Sequence, residues 1–282
     1  MSQAAVCKAF GGDVPAEEED AIPVSTQEEL IAAIESAENG ATIKLAPGTY
    51  TTYGTSYAQG KNLTFVGDGE VIWKYGKDSI VKGEGGADYS FDGSNVTFKN
   101  IIFRDNVSGE NNYRGFVRIG STKFIDCEFY DMITYLGGNK AEFKNCTFNA
   151  PGTGYSFWVY GIKETIYDGC TINCAGKFVN AYIEGTNKGE STIIYKDCTL
   201  ISSAPNKSAL NLKNSNDWNV YFLGTNKVKG LSANSTTGSR LFQVEAGSNN
   251  NKVYAGDTEE TATLIWNNGK TDDYFVPETV VE

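Results

Sequence analysis

The chain has 282 residues, 40% of them apolar, which is enough to bury a large core in one or two domains. Its formal charge is −11, which argues against binding to the phosphates of nucleic acid or to an anionic membrane surface. It contains no histidine, so Ser-His and Cys-His catalytic pairs and the usual zinc ligands are excluded. No apolar run reaches the roughly 20 residues that span a bilayer, so we expect no membrane insertion.

Residues 1–24 are predicted to form an acidic tail or linker, because they include the run DVPAEEEDAIP. The chain starts with MSQAAVCKAFGG, which lacks the basic-then-apolar order of a signal peptide. Two expectations follow: either the protein stays inside the cell, or a leader is missing from this sequence.

Helical signals follow the tail. Thr26 and Glu29 have the spacing of a capping box, and the apolar residues after them recur at helical intervals. Asn39-Gly40 is a stop signal, so the sequence predicts a helix over residues 27–38. After it, ATIKLAPGTY alternates as a strand until Pro47-Gly48 turns the chain.

The rest of the chain repeats one strand-like block. Each block is a β-branched or aromatic run, a short polar kink and a second apolar pair, and the markers are aromatic residues at 65, 98, 124, 143, 167 and 195. A seventh block fits loosely, with Tyr221 as its marker. Between the blocks a second family of strands recurs: GFVRIG (115–120), ITYLGG (133–138), SFWVYG (156–161), NAYIEG (180–185), ALNLKN (209–214) and LFQVEAG (241–247).

Two strands per repeat, with insertions of variable length between them, are typical of a parallel β-solenoid. The sequence therefore predicts an all-β protein of about seven coils over residues 25–255, with helix 27–38 as its N-terminal cap. Residues 256–282, with one last apolar strand at Thr263–Trp266, are expected to form a C-terminal cap strand and tail.

The helix followed by NGATIKLAPGTYT and NLTFVGDG resembles the start of right-handed parallel β-helix proteins of the pectin-lyase-like superfamily. The recurring NCTF-like blocks resemble bacterial surface proteins of that fold. The resemblance implies the fold over about residues 25 to 250, whereas the superfamily includes lyases, hydrolases, esterases, adhesins and phage tail spikes.

Four cysteines occupy the same slot in successive blocks: Cys127, Cys146, Cys170 and Cys198. They could form disulfides or a metal chain, but stacked, parallel Cβ vectors favour buried, reduced thiols, and we predict no metal and no cofactor. The residue before each slot is short: Asn100, Asp126, Asn145, Gly169 and Asp197. Such residues are typical of a corner, where their side chains bond to the backbone and to each other.

Alternation in the second strand family predicts an outward column that is rich in aromatic residues. An overlying loop or partner chain could cover it, or it could bind carbohydrate, since Tyr and Trp faces stack on sugar rings. The predicted ligand-binding residues are Arg118, Tyr135, Trp158, Tyr160, Tyr182, Glu184, Asn211 and Lys213.

An enzyme remains the alternative. Glu184 and Glu245 are predicted to lie two coils apart in this column with Lys213 between them, near the separation that an inverting glycosidase needs. This reading gives a polysaccharide hydrolase or lyase with those three residues as the catalytic set, although a surface Glu-Lys-Glu ion pair is the commoner explanation. We expect a secreted or cell-surface protein that binds a glycan, with a phage particle as the alternative location.

Overall fold

A computed structural model describes residues 20–52, 58, 60–75, 86–88, 90–105, 114–116, 119–130, 134–136, 139–150, 155–160, 162–174, 177–182, 190–202, 208–212, 217–229, 240–244 and 251–268. This described part contains one helix and 26 strands, and its sheets are parallel except for the last strand pair. The prediction of an all-β chain is therefore confirmed. The acidic segment 1–19, Cys7 and the tail 269–282 lie outside the described residues.

The largest sheet, sheet A, has eleven strands in spatial order. They are β1 (Ile22–Val24), β2 (Thr42–Leu45), β4 (Asn62–Gly67), β7 (Asn95–Lys99), β10 (Ser121–Ile125), β13 (Lys140–Lys144), β16 (Glu164–Asp168), β19 (Glu190–Lys196), β22 (Asp217–Leu223), β25 (Asn251–Gly256) and β26 (Thr263–Asn268).

Three smaller sheets accompany it. Sheet B comprises β3 (Gly48–Thr52), β5 (Val71–Tyr75), β8 (Ile102–Asp105), β11 (Glu128–Tyr130), β14 (Thr147–Ala150), β17 (Thr171–Cys174), β20 (Thr199–Ser202) and β23 (Lys227–Lys229). Sheet C comprises β12 (Thr134–Leu136), β15 (Tyr155–Tyr160), β18 (Lys177–Tyr182), β21 (Ser208–Leu212) and β24 (Arg240–Val244). Sheet D pairs β6 (Gly86–Asp88) with β9 (Arg114–Phe116).

The chain visits these sheets in a fixed order. From β10 to β25 it passes from sheet A to sheet B to sheet C and back to sheet A, five times in succession. At each return, the new strand pairs in parallel with the preceding strand of the same sheet. Paired residues nearly always face the same side of the sheet.

Helix α1 (Gln27–Ser36) begins where the sequence predicts and ends two residues early. The capping box is formed: the backbone N–H of Glu29 donates to Thr26 Oγ1, and the backbone N–H of Thr26 donates to the Glu29 carboxylate. At the other end, Lys61 Nζ donates to the Glu35 carbonyl oxygen over 2.8 Å, which satisfies one of the free carbonyls of the last turn.

The N-terminal edges of two sheets are blocked by specific side chains. Pro23 lies within β1, the edge strand of sheet A, and removes one backbone donor there. In sheet B, the Gln27 side-chain amide donates to the Thr51 carbonyl and accepts from the Thr51 N–H over 2.7 and 2.8 Å. Gln27 of helix α1 thus takes the place of a neighbouring strand at the Thr51 edge of sheet B.

An inward row of aromatic rings is the centre of the core. Neighbouring rings lie 5.0 to 5.4 Å apart and nearly parallel, because strand pairing keeps them in one register. The row consists of Phe65, Phe98, Phe124, Phe143, Tyr167, Tyr195 and Phe222, all buried. The six predicted markers are therefore confirmed.

The seventh predicted marker is wrong by one residue. Phe222 pairs with Tyr195 in the inward row, whereas Tyr221 pairs with Ile194. Since neighbouring residues of a strand face opposite sides, this shift places Tyr221 on the outer face of sheet A. There its ring stacks on Tyr254 with 4.7 Å between centroids.

The corner between sheets A and B has the predicted polar residues in a left-handed backbone conformation. Asn100, Asp126, Asn145 and Asp197 have φ of 52° or 53°, a region that few residues other than glycine adopt. The amide nitrogen of Asn145 donates to the Asp126 carboxylate over 3.2 Å, which ties one block to the next.

The four slot cysteines are buried free thiols, as predicted. Each sulfur lies 3.2 to 3.5 Å from a carbonyl oxygen of the preceding block, with the Cys198 Sγ to Tyr167 carbonyl contact the shortest. Asn226 closes the last slot, where its Oδ1 accepts from the Cys198 N–H over 2.9 Å.

At the C-terminal end, β26 is antiparallel to β25 and closes sheet A in the described part of the chain. The predicted last strand, Thr263–Trp266, is present and extends two residues further, to Asn268.

Candidate functional site

Sheet C carries the aromatic positions that the sequence singles out. The pairing of β12 with β15 places Tyr135 beside Trp158. The pairing of β15 with β18 places Tyr160 beside Tyr182. Residues in one register row of a parallel sheet share a face, and rows two residues apart share it as well, so these four positions belong to one face.

Asn180 also belongs to this face, which the sequence analysis missed. Trp158 pairs with Asn180, and Asn180 pairs with Asn211, so the row runs from Tyr135 through an aromatic pair into an amide pair. Strand β18 begins at Lys177, three residues before the predicted segment 180–185. The stretch KFVNAYIEG has apolar or aromatic residues at both parities, so alternation alone does not fix its register.

The remaining predicted site residues lie outside the described part of the chain: Arg118, Glu184, Lys213 and Glu245. The predicted strand at 115–120 corresponds in part to β9, which belongs to sheet D rather than sheet C. The separation of Glu184 and Glu245, on which the glycosidase alternative depends, stays a prediction.

A second polar cluster lies on the outer face of sheet B. The Tyr130 hydroxyl donates to the Glu128 carboxylate over 2.6 Å, and this hydrogen bond raises the pKa of Tyr130. The guanidinium of Arg104 lies 4.4 Å from the centre of the Tyr130 ring, in a cation–π contact. The Tyr130 hydroxyl therefore stays protonated, and the Arg104 guanidinium covers one face of the Tyr130 ring. Arg104 and Tyr130 are directly paired on neighbouring strands, so alignment of their two sequence blocks would have predicted this contact.

The outer face of sheet A contains an open groove of about 230 Å³ near its N-terminal end. Strands β4, β7, β10 and β13 supply its lining, chiefly hydroxyl, amide and charged side chains. The sequence gives no signal for these residues, because polar residues at outward positions of a strand are the ordinary expectation.

Charges beside this groove are paired. Lys123 Nζ lies 2.8 Å from the Glu142 carboxylate, and Lys140 Nζ lies 2.7 Å from the Glu164 carboxylate. The hydrogen bond to Glu164 raises the pKa of Lys140, so the Lys140 ammonium stays protonated. The groove therefore presents neutral hydroxyls and amides beside internally neutralised ion pairs.

Comparison with protein-family models and with the sequences of curated proteins gives no match. Helix α1 has ten residues, and the described part of the chain contains no helix of the length and apolarity needed to cross a membrane.

Proposed function

We propose that this chain is a right-handed parallel β-helix of the kind it resembles in sequence, and that it binds carbohydrate without catalysing a reaction. The repeated passage through sheets A, B and C supports the solenoid, since each passage adds one strand to each sheet. The stacked inward row and the cysteine slots support it too, because equivalent residues of successive blocks meet side by side.

The binding surface is the aromatic face of sheet C. The observation that supports it is the strand register, which gathers Tyr135, Trp158, Tyr160 and Tyr182 on neighbouring strands, with Asn180 and Asn211 continuing the first row. Aromatic rings supply apolar area for the faces of sugar rings, and amides supply hydrogen bonds to their hydroxyls. A sheet held by ladder hydrogen bonds loses little conformational entropy when it binds.

Residues outside the described part complete the proposal. Glu184 follows β18 and Lys213 follows β21 in sequence, and with Arg118 they would add charged hydrogen-bonding groups at the rim of the surface. A surface of this kind suits a secreted or cell-surface protein that holds a glycan.

A glycan array tests the proposal, with Trp158→Ala and Tyr182→Ala beside the parent. Removing an aromatic anchor commonly costs about 2 kcal/mol, so each variant should bind about thirtyfold more weakly. Tyr254→Ala is the matched control, because Tyr254 is an aromatic residue on the outer face of sheet A. Parent-like binding by both sheet C variants would refute the aromatic surface. Reducing-sugar release or a rise in absorbance at 235 nm on retained glycans would replace it with the enzyme.

A further inference from the structure

The groove on sheet A offers hydrogen-bonding groups that the fold does not use. The hydroxyls of Thr64 and Thr97 form no hydrogen bond within the described part of the chain, and both residues are half-buried on the outer face. Their strands are paired so that Thr64 lies beside Thr97, and Lys123 continues the row. A hydroxyl can both donate and accept, so this row suits a partner that also does both.

A parallel row of amides borders the hydroxyls. Asn62 and Asn95 pair across β4 and β7, and the Asn95 amide nitrogen donates to Asn62 Oδ1 over 2.8 Å. This bond fixes the direction of both amides and leaves the Asn62 amide nitrogen pointing to a ligand or to solvent. Ser121 continues the row on β10.

The charge pattern decides the class of ligand. Lys123 and Lys140 each have a carboxylate within 2.8 Å, so the groove carries no unpaired cation for an anionic group and no unpaired carboxylate for a cation within its described lining. A charged ligand would have to break these pairs. An uncharged, polyhydroxylated ligand makes hydrogen bonds without disturbing them.

The spacing between neighbouring strands indicates the shape of that ligand. Successive strands of a sheet are about 4.8 Å apart, and the hydroxyl and amide rows run across the strands at this interval. An extended oligosaccharide repeats its hydroxyls at a length close to this interval, so each strand can serve one sugar unit.

We propose that this groove binds an extended neutral oligosaccharide across β4, β7 and β10, with one sugar unit per strand. The hydroxyls of Thr64, Thr97 and Ser121 and the amides of Asn62 and Asn95 form the hydrogen bonds. This inference rests on the proposed carbohydrate-binding function and adds a second site, on a different sheet from the aromatic surface. The ion pairs beside the groove reject uronic-acid and sulfated chains.

The test uses the double variant Thr64→Val/Thr97→Val, which keeps the shape of the side chains and their β-branching while it removes both hydroxyls. The matched control is Thr171→Val/Thr199→Val. Those two threonines are also half-buried neighbours in one row, on sheet B. Two neutral hydrogen bonds at about 1 kcal/mol each predict about thirtyfold weaker binding of neutral oligosaccharides by the groove variant and no change in the control.

Parent, both double variants and Trp158→Ala are compared on neutral and acidic oligosaccharides, with thermal unfolding as the check on folding. Loss that is confined to the groove variant supports the groove and refutes the aromatic surface. Loss that is confined to Trp158→Ala refutes the groove and leaves the proposed function standing. Losses in both variants support two sites. If the parent retains no glycan, both proposals fail, and stronger retention of acidic than neutral chains refutes the groove alone.

Discussion

Substitution of the corner residue Asn145 by Gly or Ala tests the fold, because Gly should be less destabilising than Ala at this corner and more destabilising within a strand. Its φ of 52° lies in the left-handed region, which costs a residue with a Cβ about 1 to 2 kcal/mol unless it is asparagine or aspartate. Its side chain also donates to the Asp126 carboxylate, a hydrogen bond worth about 1 kcal/mol. Asn145→Ala loses both contributions, so we expect the free energy of unfolding to fall by about 2 to 3 kcal/mol.

Asn145→Gly loses the hydrogen bond but adopts the same φ without strain, so we expect it to lose only about 1 kcal/mol. Gly169 already occupies the equivalent corner in the next block, with φ of 65°. In a strand the order is the opposite, because glycine is less stable than alanine by about 0.5 to 1 kcal/mol. The matched control is therefore Asn219, a half-buried residue within β22, where Ala should be the milder substitution.

Urea unfolding followed by tryptophan fluorescence measures these differences, since Trp73 and Trp218 are fully buried. We expect Gly to be less destabilising than Ala at position 145 and more destabilising than Ala at position 219. If Asn145→Gly is at least as destabilising as Asn145→Ala, backbone strain does not govern this corner.

Four further predictions concern the core and the N-terminal edge of sheet B. The thiols of Cys146, Cys170 and Cys198 should react with a thiol reagent only after denaturation, and labelling at any of these three positions in the folded chain would contradict their burial. Burial raises the pKa of Cys146, and hydrogen bonds with the preceding cysteine together with burial raise the pKa values of Cys170 and Cys198, so the folded chain keeps protons that the unfolded chain releases above about pH 8.5. The free energy of unfolding should therefore fall as pH rises past that point, by up to about 1.4 kcal/mol per pH unit for each thiol, and a flat profile in alkaline urea titrations would refute this. Phe143→Ala should lower the free energy of unfolding by about 3 to 5 kcal/mol, because its ring stacks between two neighbours, and a loss under 1 kcal/mol would refute that packing. Gln27→Ala should expose the Thr51 edge of sheet B and increase aggregation in light-scattering measurements, whereas Glu28→Ala, an exposed neighbour on the same helix, should not.

The sequence predicts the core because burial imposes its period strictly. Six aromatic markers, four cysteine slots and the corner residues repeat in one order, and the structure brings each set together. The marker fails at Tyr221, where Tyr221 and Phe222 are both aromatic and either fits the pattern. Only the register of the neighbouring strand decides which of the two is buried.

The outer surfaces are harder to predict, since no burial constraint acts on them. The Arg104–Tyr130 contact and the Lys123–Glu142 ion pair follow from aligning successive blocks, since each pair occupies one slot of the repeat, but polar residue types at outward positions give no signal that singles them out. The register of β18 is also hard to predict from the sequence. In the structure Asn180 pairs with Trp158, whereas a shift of two residues within KFVNAYIEG would place Tyr182 beside Trp158.

The neighbour of Trp158 in β18 decides whether the Trp158 ring has a free face for a sugar. Tyr221 and Tyr254 are neighbours in one row and their rings stack at 4.7 Å, and we expect Tyr135 and Trp158 to stack in the same way; a stacked ring has no free face between its neighbours. A sugar can therefore stack only at the end of such a row. Tyr135 and Trp158 are the two ends of their aromatic pair, and only the Trp158 end has an amide, Asn180, beside it in the row.

We accordingly expect Trp158→Ala to weaken glycan binding by about thirtyfold and Tyr135→Ala by less than fivefold, since Asn180 lies on the Trp158 side of the row only. Asn180→Ala removes the amide beside that end position and should weaken binding by about fivefold, the value of one neutral hydrogen bond at about 1 kcal/mol. Isothermal titration with a glycan that the parent retains measures all three variants. Equal losses for Trp158→Ala and Tyr135→Ala would show that the sugar lies along the whole row rather than at its end.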